Sequence, residues 1–288
     1  MSEFIGTKLT MNLGERSYDI IVKSGSLENL YQFARLDRRV AVVTDSGVPA
    51  QYAQMVADQC KDAHIITVPQ GEASKSFKIL ESVLKQMLEF GMGRGDLVIA
   101  VGGGSVMDVG KSLCCLYGKE IEDEDGLRRL IQEKAFGKPQ ARWIGVPTTA
   151  GTGSEVTCWA TIWDPSRDVK RSVESQDNYA FAAVADSALL EEMPLKLTVS
   201  SALDAVAHAV ESYWARHTNM VSRELALGAI ETVMGNIDRL LAGDKRALDE
   251  MSKGSMLAGL AFSNTKTTAC HSISYPLTMH GGIPHGTA

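Results

Sequence analysis

"DLVIAVGGGSVMDVGKS", residues 96–112, runs from an unbroken apolar stretch through three glycines into a segment with helical spacing. Residues 97–101 carry no polar side chain, which is the pattern of a strand buried on both faces of a sheet. Gly102, Gly103 and Gly104 allow a tight turn and a close approach of backbone to a phosphate. The helix that opens behind them offers unbonded N–H groups at the positive end of its dipole. The motif departs from GxGxxG, because Met107 occupies the place of the last glycine. Spacing alone therefore leaves two readings, a dinucleotide-binding turn or merely a tight strand–helix connection.

The same texture extends outward. Short β-rich runs occur at 18–22, 39–44, 63–68, 97–101, 142–146 and 181–186, with amphipathic stretches such as "SFKILESVLKQMLEF" (76–90) between them. Buried strands alternating with helices predict an α/β domain built on a mainly parallel sheet. After Met193-Pro194 the segments 196–215, 219–241 and 245–263 are rich in Ala, Leu and Met at helical spacing. The expected organisation is thus a nucleotide-binding domain over residues 1–190 and an all-α domain over 191–288.

Composition sets bounds on function. The 288 residues are 44% hydrophobic and 22% charged, with a net charge of −6, which argues against an electrostatic nucleic-acid binder. No apolar run is long enough to span a bilayer, and "MSEFIGTKLTMNLGERS" has no signal-peptide core. Five cysteines, at 60, 114, 115, 158 and 270, form no CxxC pair, so reduced thiols and a cytoplasmic location are expected. Cys270 reads as a buried bystander thiol.

Further polar motifs sit at strand ends. "PTTAGTGSE" (147–155) supplies Thr hydroxyls and glycine amides suited to a pyrophosphate or ribose. Asp45, ending "RVAVVTD", is placed to accept from adenosine ribose hydroxyls and to repel a 2′-phosphate, favouring NAD over NADP, or else to cap a turn. In "PQGEASKS" (69–76), Ser74 or Ser76 is a helix N-cap candidate, and Glu72 and Lys75 are within reach of a ribose or else solvated loop charges.

"SALDAVAHAVE" (201–211) places Asp204 and His208 one turn apart in an otherwise Ala- and Val-rich helix. Burying both requires partners. "ACHSISYPLTMHGGIPHGTA" (269–288) adds His271, His280 and His285, giving a mixed nitrogen and oxygen set suited to Fe²⁺ or Zn²⁺. His217 reads as solvent-exposed and His64 as structural.

With "GGGSVMDVGK", "PTTAGTGSEVT", "ALDAVAHAVESY" and "HSISYPLTMHGGIPHGTA", the chain resembles the iron-dependent (group III) alcohol dehydrogenases over essentially its whole length. The resemblance implies metal ligands Asp204, His208, His271 and His285. It implies cofactor contacts at Gly102, Gly103, Gly104, Ser105, Asp108, Thr148, Thr149 and Thr152, with Lys170 by the cofactor ribose. It also implies the dehydroquinate synthase-like fold, NAD, a divalent metal (Fe²⁺ ahead of Zn²⁺) and a homodimer. Tyr275 stands where the family commonly has a histidine near the nicotinamide, so Tyr275 and His280 are the candidates for proton relay. Family members continue past the position of Ala288 through further helices, which implies an incomplete helical domain here.

The expected activity is interconversion of a small alcohol and aldehyde with NAD(H). "ATIWD" (160–164), "KRSV" and "ESYWARHTN" resemble the branch that reduces phosphonoacetaldehyde, and Arg171, Arg216 and Lys266 are cations available to an anionic substrate. Two alternatives stand beside this. "MNLGERSYDIIVKSGSL" and "PQGEASKS" are similar to dehydroquinate synthase, a lyase that uses NAD transiently, and the second alternative is a truncated chain that binds nucleotide or metal without turnover.

Overall fold

A computed structural model describes residues 6–121, 123–164, 166–167 and 169–288, and of Met279 the backbone only. Residues 1–5 of the N-terminal stretch read for a leader lie outside the described residues. Contacts divide the chain into two compact units. The first comprises residues 1–21, 25–147 and 158–185, and the second residues 22–24, 148–157 and 186–288. Segment 148–157, which the sequence reading assigns to the nucleotide domain, therefore groups with the helices.

The first unit holds β1 (Thr7–Met11), β2 (Tyr18–Val22), β3 (Arg39–Asp45), α1 (Ala50–Ala57), β4 (Asp62–Val68), α2 (Phe77–Glu89), β5 (Leu97–Gly102), α3 (Gly104–Leu116), α4 (Glu124–Gln132), β6 (Arg142–Pro147), β7 (Trp159–Asp164), β8 (Val169–Glu174) and β9 (Ala182–Ala185). Seven strands form one sheet in the order β1-β2-β9-β6-β5-β3-β4, and the pairs β3–β4, β3–β5, β5–β6 and β6–β9 are parallel. Every residue of β5 is buried, as the continuous apolar run requires of a strand covered on both faces.

From β3 the chain crosses to β4 on one side, whereas β5 returns to the other side of β3 and leads on to β6. The direction of winding thus reverses between β3 and β5, and ligands of open α/β sheets bind at the carboxyl ends of such strands. Asp45 ends β3 and Gly102 ends β5, so both fall at this position.

The antiparallel hairpin β7–β8, which the sequence reading does not contain, carries the charged network of the first unit. Asp164 is fully buried and accepts from Arg128 Nε at 2.8 Å and a terminal Arg128 nitrogen at 3.0 Å, and from Arg171 Nε at 2.8 Å. The Arg128 guanidinium, more than any other neighbour, holds the Asp164 carboxyl well below the usual carboxylate range. Arg171, expected as a cation for an anionic substrate, is instead committed to this pair.

Removing one partner of a buried ion pair strands the other. Asp164→Asn is therefore expected to lower unfolding free energy by ~3 kcal/mol in chemical denaturation. Because the folded pKa is depressed, the wild-type contribution is complete above the unfolded value of about 3.9 and fades as pH falls below it. The variant's stability should accordingly be the flatter of the two between neutral and acid pH.

The second unit contains α5 (Leu195–Trp214), α6 (Met220–Met234), α7 (Ile237–Leu241), α8 (Arg246–Thr265) and α9 (Ala269–Gly281). The predicted helix over 219–241 is two, broken at Gly235-Asn236. Among the described residues no helix is long and apolar enough to cross a membrane.

Candidate functional site

Helix α5 presents two buried stripes. Ala205 and Ala209 pack with Ala226 and Ala229 of α6 and Ala258 and Ala261 of α8, a core of small side chains flanked by Leu225, Ile230 and Leu257. The neighbouring stripe, Asp204, His208 and Glu211 at i, i+4 and i+7, is polar yet buried. Phe262 of α8 stacks on His208 with ring centroids 4.4 Å apart. Helix α9 supplies His271, and the 3-10 turn at His285–Thr287 supplies His285. That turn lies close on α5, since a Cβ at Gly286 would come within 2.8 Å of the Ser200 carbonyl oxygen.

Four sequence-predicted ligands converge. Oδ1 of Asp204 is 3.6 Å from Nε2 of His271, 3.9 Å from Nδ1 of His208 and 3.9 Å from Nε2 of His285. One donor atom each from Asp204, His208 and His271 all lie within 4.8 Å of one another. Ligands about 2.1 Å from a tetrahedral ion stand roughly 3.4 Å apart, so the set needs little adjustment to share one cation. Nδ1 of His208 and Nε2 of His271 are buried with no hydrogen-bond partner, a costly state for a ring nitrogen unless an ion completes it.

Charge supports the same reading. Burial, reinforced by His271, pushes His208 down to about 3, leaving a neutral imidazole with its lone pair available across the neutral range. Burial also raises Asp204, with His285 and His271 opposing and Glu211 adding to the rise. A divalent cation would meet both conditions, accepting the His208 lone pair and supplying the positive charge that a buried Asp204 carboxylate lacks.

Glu211, missing from the sequence-predicted site, is fully buried. Its carboxylate faces Nδ1 of His271 and accepts backbone N–H groups from the start of α9. Burial opposes its ionisation, but the Thr268 hydroxyl and His271 outweigh this and lower its pKa. The signal available in the sequence was its place three residues after His208 on the same stripe.

Tyr275 stacks on His285 with centroids 5.9 Å apart. His280, in the last turn of α9, is exposed. Cys270 corrects an expectation: it is exposed rather than buried, because the start of α9 turns its thiol outward while its N–H donates to Glu211. His217 is exposed as expected, and His64 lies within β4 with its ring 5.5 Å from that of Phe90.

At the carboxyl edge of the sheet, Gly103 is the N-cap of α3, extended and without a side-chain cap, so the first N–H groups of α3 keep no side-chain partner at the cap. This fits a pyrophosphate. Gly104 and Ser105 open α3 there and, like Gly103, are half-buried. Asp45 is buried and accepts from the Gly47 N–H at 2.8 Å, which shows its turn-capping role, and burial raises its pKa.

Four other predicted cofactor residues form a chain of alternating charge. Lys170 is 3.4 Å from Glu72, Glu72 is 2.7 Å from Lys75, and Lys75 is 3.4 Å from Asp108. Burial would lower Lys75, but Asp108 and Glu72 outweigh it and raise its pKa. Ser76 is the N-cap of α2 without a side-chain cap bond, and Ser74 donates to the Gly71 carbonyl at 2.7 Å. Thr148 is buried, Thr149 and Thr152 half-buried, and all three lie in the segment that groups with the helical unit.

Known proteins resemble this chain over most of its length. The family model for iron-containing alcohol dehydrogenase matches residues 17–187, and that for the C-terminal part of the Fe-containing alcohol dehydrogenase family matches residues 198–288. An NADPH-dependent butanol dehydrogenase of Clostridium saccharobutylicum is 30% identical over 94% of this chain and 69% of its own length. A phosphonoacetaldehyde reductase of Streptomyces viridochromogenes is 32% identical over 68% of this chain, but only 51% of that relative is covered. The crystal structure of sulfoacetaldehyde reductase from Bifidobacterium kashiwanohense in complex with NAD+ superposes with a TM-score of 0.79 at 26% identity, covering 91% of this chain and 70% of that one. These matches do not favour the dehydroquinate synthase-like lyase. They are named as dehydrogenases and reductases, and the chain belongs to the iron-containing alcohol dehydrogenase family of oxidoreductases.

Proposed function

We propose that this chain catalyses NAD(H)-linked interconversion of a small alcohol and its aldehyde at a divalent metal held by Asp204, His208, His271 and His285. The observation that carries the reading is the buried convergence of Asp204, His208 and His271 donor atoms within 4.8 Å. When bound, the cation supplies Lewis-acid polarisation of a carbonyl and NADH supplies the hydride.

The chain's own residues do the remaining work. The uncapped start of α3 and the Asp45 turn at the sheet's winding reversal hold the nucleotide. Thr148, Thr149 and Thr152 are assigned as cofactor contacts on the family resemblance. The chain Lys170, Glu72, Lys75 and Asp108 orients groups at the ribose. Tyr275, beside His285, holds the proton that the product alkoxide needs, whereas exposed His280 serves as a surface residue. Fe²⁺ is the preferred metal, since the family models are those of iron enzymes.

An anionic aldehyde is the favoured substrate class, supported by the relatives named phosphonoacetaldehyde and sulfoacetaldehyde reductase. Arg216 and Lys266, both exposed, are the remaining candidate cations for that role once Arg171 is set aside. The test is NADH oxidation by metal-loaded protein with short aldehydes, each with and without a phosphonate or sulfonate group. Turnover concentrated on the anionic members is the expected result. Activity only with uncharged aldehydes would reject the substrate class, and none with any aldehyde would reject the function.

Asp45 makes a separate prediction about cofactor choice. A carboxylate beside the ribose disfavours a 2′-phosphate by ~1.4 kcal/mol or more, so kcat/KM should favour NADH over NADPH by about tenfold at least. Asp45→Ala should narrow that ratio. An unchanged ratio would leave Asp45 with its turn-capping role alone.

A further inference from the structure

Glu211 stands outside the donor set and yet makes the densest group of polar contacts around it. One carboxylate oxygen, Oε1, accepts from the N–H groups of Thr268 at 3.0 Å, Cys270 at 2.8 Å and His271 at 3.4 Å, and from the Thr268 hydroxyl at 2.9 Å. The other, Oε2, faces Nδ1 of His271. We propose that Glu211 is a positioning residue: held fast by the start of α9, it fixes His271 as the Nδ1–H tautomer and so presents the Nε2 lone pair toward Asp204.

The chemistry of the acceptor carries this. An ionised carboxylate accepts and never donates, so the ring nitrogen facing Oε2 must carry the proton. A neutral imidazole protonated at Nδ1 has its only lone pair at Nε2, and that atom lies 3.6 Å from Asp204 Oδ1, buried and without a hydrogen-bond partner. Oε1 cannot release its donors to rotate the carboxylate without stranding three backbone N–H groups at a helix start. The orientation of the ring therefore follows from the capping of α9. This inference rests on the metal-centre reading above.

Glu211→Gln separates positioning from capping. Glutamine has one oxygen and one amide nitrogen. With the oxygen kept on the four donors of α9, the amide N–H must point at Nδ1, which then has to accept, and the ring proton moves to Nε2. The cap survives while the ligand lone pair is lost. Outer partners of metal-bound histidines characteristically change metal affinity 10- to 100-fold.

The experiment uses metal-free protein with ¹⁵N-labelled histidine, and the His271 signal is identified by its loss in His271→Ala. In wild type the expected tautomer is Nδ1–H. In Glu211→Gln it is Nε2–H, with Zn²⁺ affinity reduced about 10- to 100-fold in competition with a chromophoric chelator and with a melting temperature close to wild type. A wild-type His271 in the Nε2–H form overturns the proposal whether or not the variant folds. So does a variant that keeps the Nδ1–H tautomer, whatever its stability. Failure of wild type to bind Zn²⁺ or Fe²⁺ would instead reject the metal centre, and the tautomer measurement would still decide the role of Glu211.

Discussion

Asp204→Asn is expected to reduce aldehyde-dependent NADH oxidation about a thousandfold or more while leaving the metal-free protein at least as stable as wild type. The first half follows from losing the one carboxylate among the predicted ligands. Metal stabilisation of developing charge contributes several kcal/mol, and ~4 kcal/mol corresponds to about a thousandfold in rate. The second half follows from the direction of the Asp204 shift. Burial raises its folded pKa, with Glu211 adding and His285 and His271 opposing. An acid with a raised folded pKa ionises more readily in the unfolded chain, so it costs stability once pH exceeds the unfolded value of about 3.9. The isosteric amide lifts that cost. Melting curves with and without Zn²⁺ should therefore show a metal-induced rise in wild type and none in the variant, since a ligand stabilises by binding the folded state alone. A metal-free variant melting far below wild type would mean that Asp204 is a structural residue, and the metal centre would lose its main support.

What was legible in the sequence tracks how locally each feature is specified. Strands β3, β5 and β6 each carry an unbroken apolar run, at 40–43, 97–101 and 143–146, because both their faces are covered there, so a short window suffices to find them. The hairpin β7–β8 escaped because half of "VKRSVE" is charged, and its half-buried Arg171 is accommodated only by pairing with Asp164 on the facing strand. The break between α6 and α7 escaped because Gly235-Asn236 interrupts a pattern that stays apolar on both sides.

The site divides along the same line. Asp204 and His208 stand out as polar intrusions in an alanine-rich helix, whereas pairing them with His271 and His285 came from the family resemblance. Glu211 lies near the polar end of α5, next to the exposed Tyr213 and Trp214, where a glutamate ordinarily signals solvent. Only the arrival of α9 buries it, and no local pattern encodes that approach. Cys270 misled for the converse reason, since its neighbour His271 faces inward while the helix start turns the thiol out.

Gly153→Ala is expected to be the most damaging single-methyl substitution in the helical unit, at about 2–4 kcal/mol of stability, with a raised KM for NADH. Gly153 adopts φ +55°, which alone costs a side-chain-bearing residue ~1 kcal/mol. An added Cβ would also fall on Cα of Gly259 in α8, with the Gly259 nitrogen at 3.0 Å and the Ser255 carbonyl oxygen at 3.1 Å. These are backbone atoms, so no side chain can swing aside, and overpacking of that kind costs a further 1–3 kcal/mol or so. The sequence suggested that the glycines of "PTTAGTGSE" serve a phosphate through their amides. The structure supplies another reason, since Gly151 meets α5, where a Cβ would come within 2.5 Å of the Ser201 oxygen, just as Gly153 meets α8. The segment carrying Thr148, Thr149 and Thr152 is thus seated on the same two helices that carry Asp204, His208 and Phe262. The Gly151 backbone also lies against the His208 ring, its carbonyl placed to accept from it. Displacing the loop should disturb nucleotide binding and the metal centre together, so Gly153→Ala should weaken both NADH and Zn²⁺ binding in titration. A loss confined to NADH would mean that the loop serves the nucleotide alone and that its packing on α5 and α8 does not couple the two.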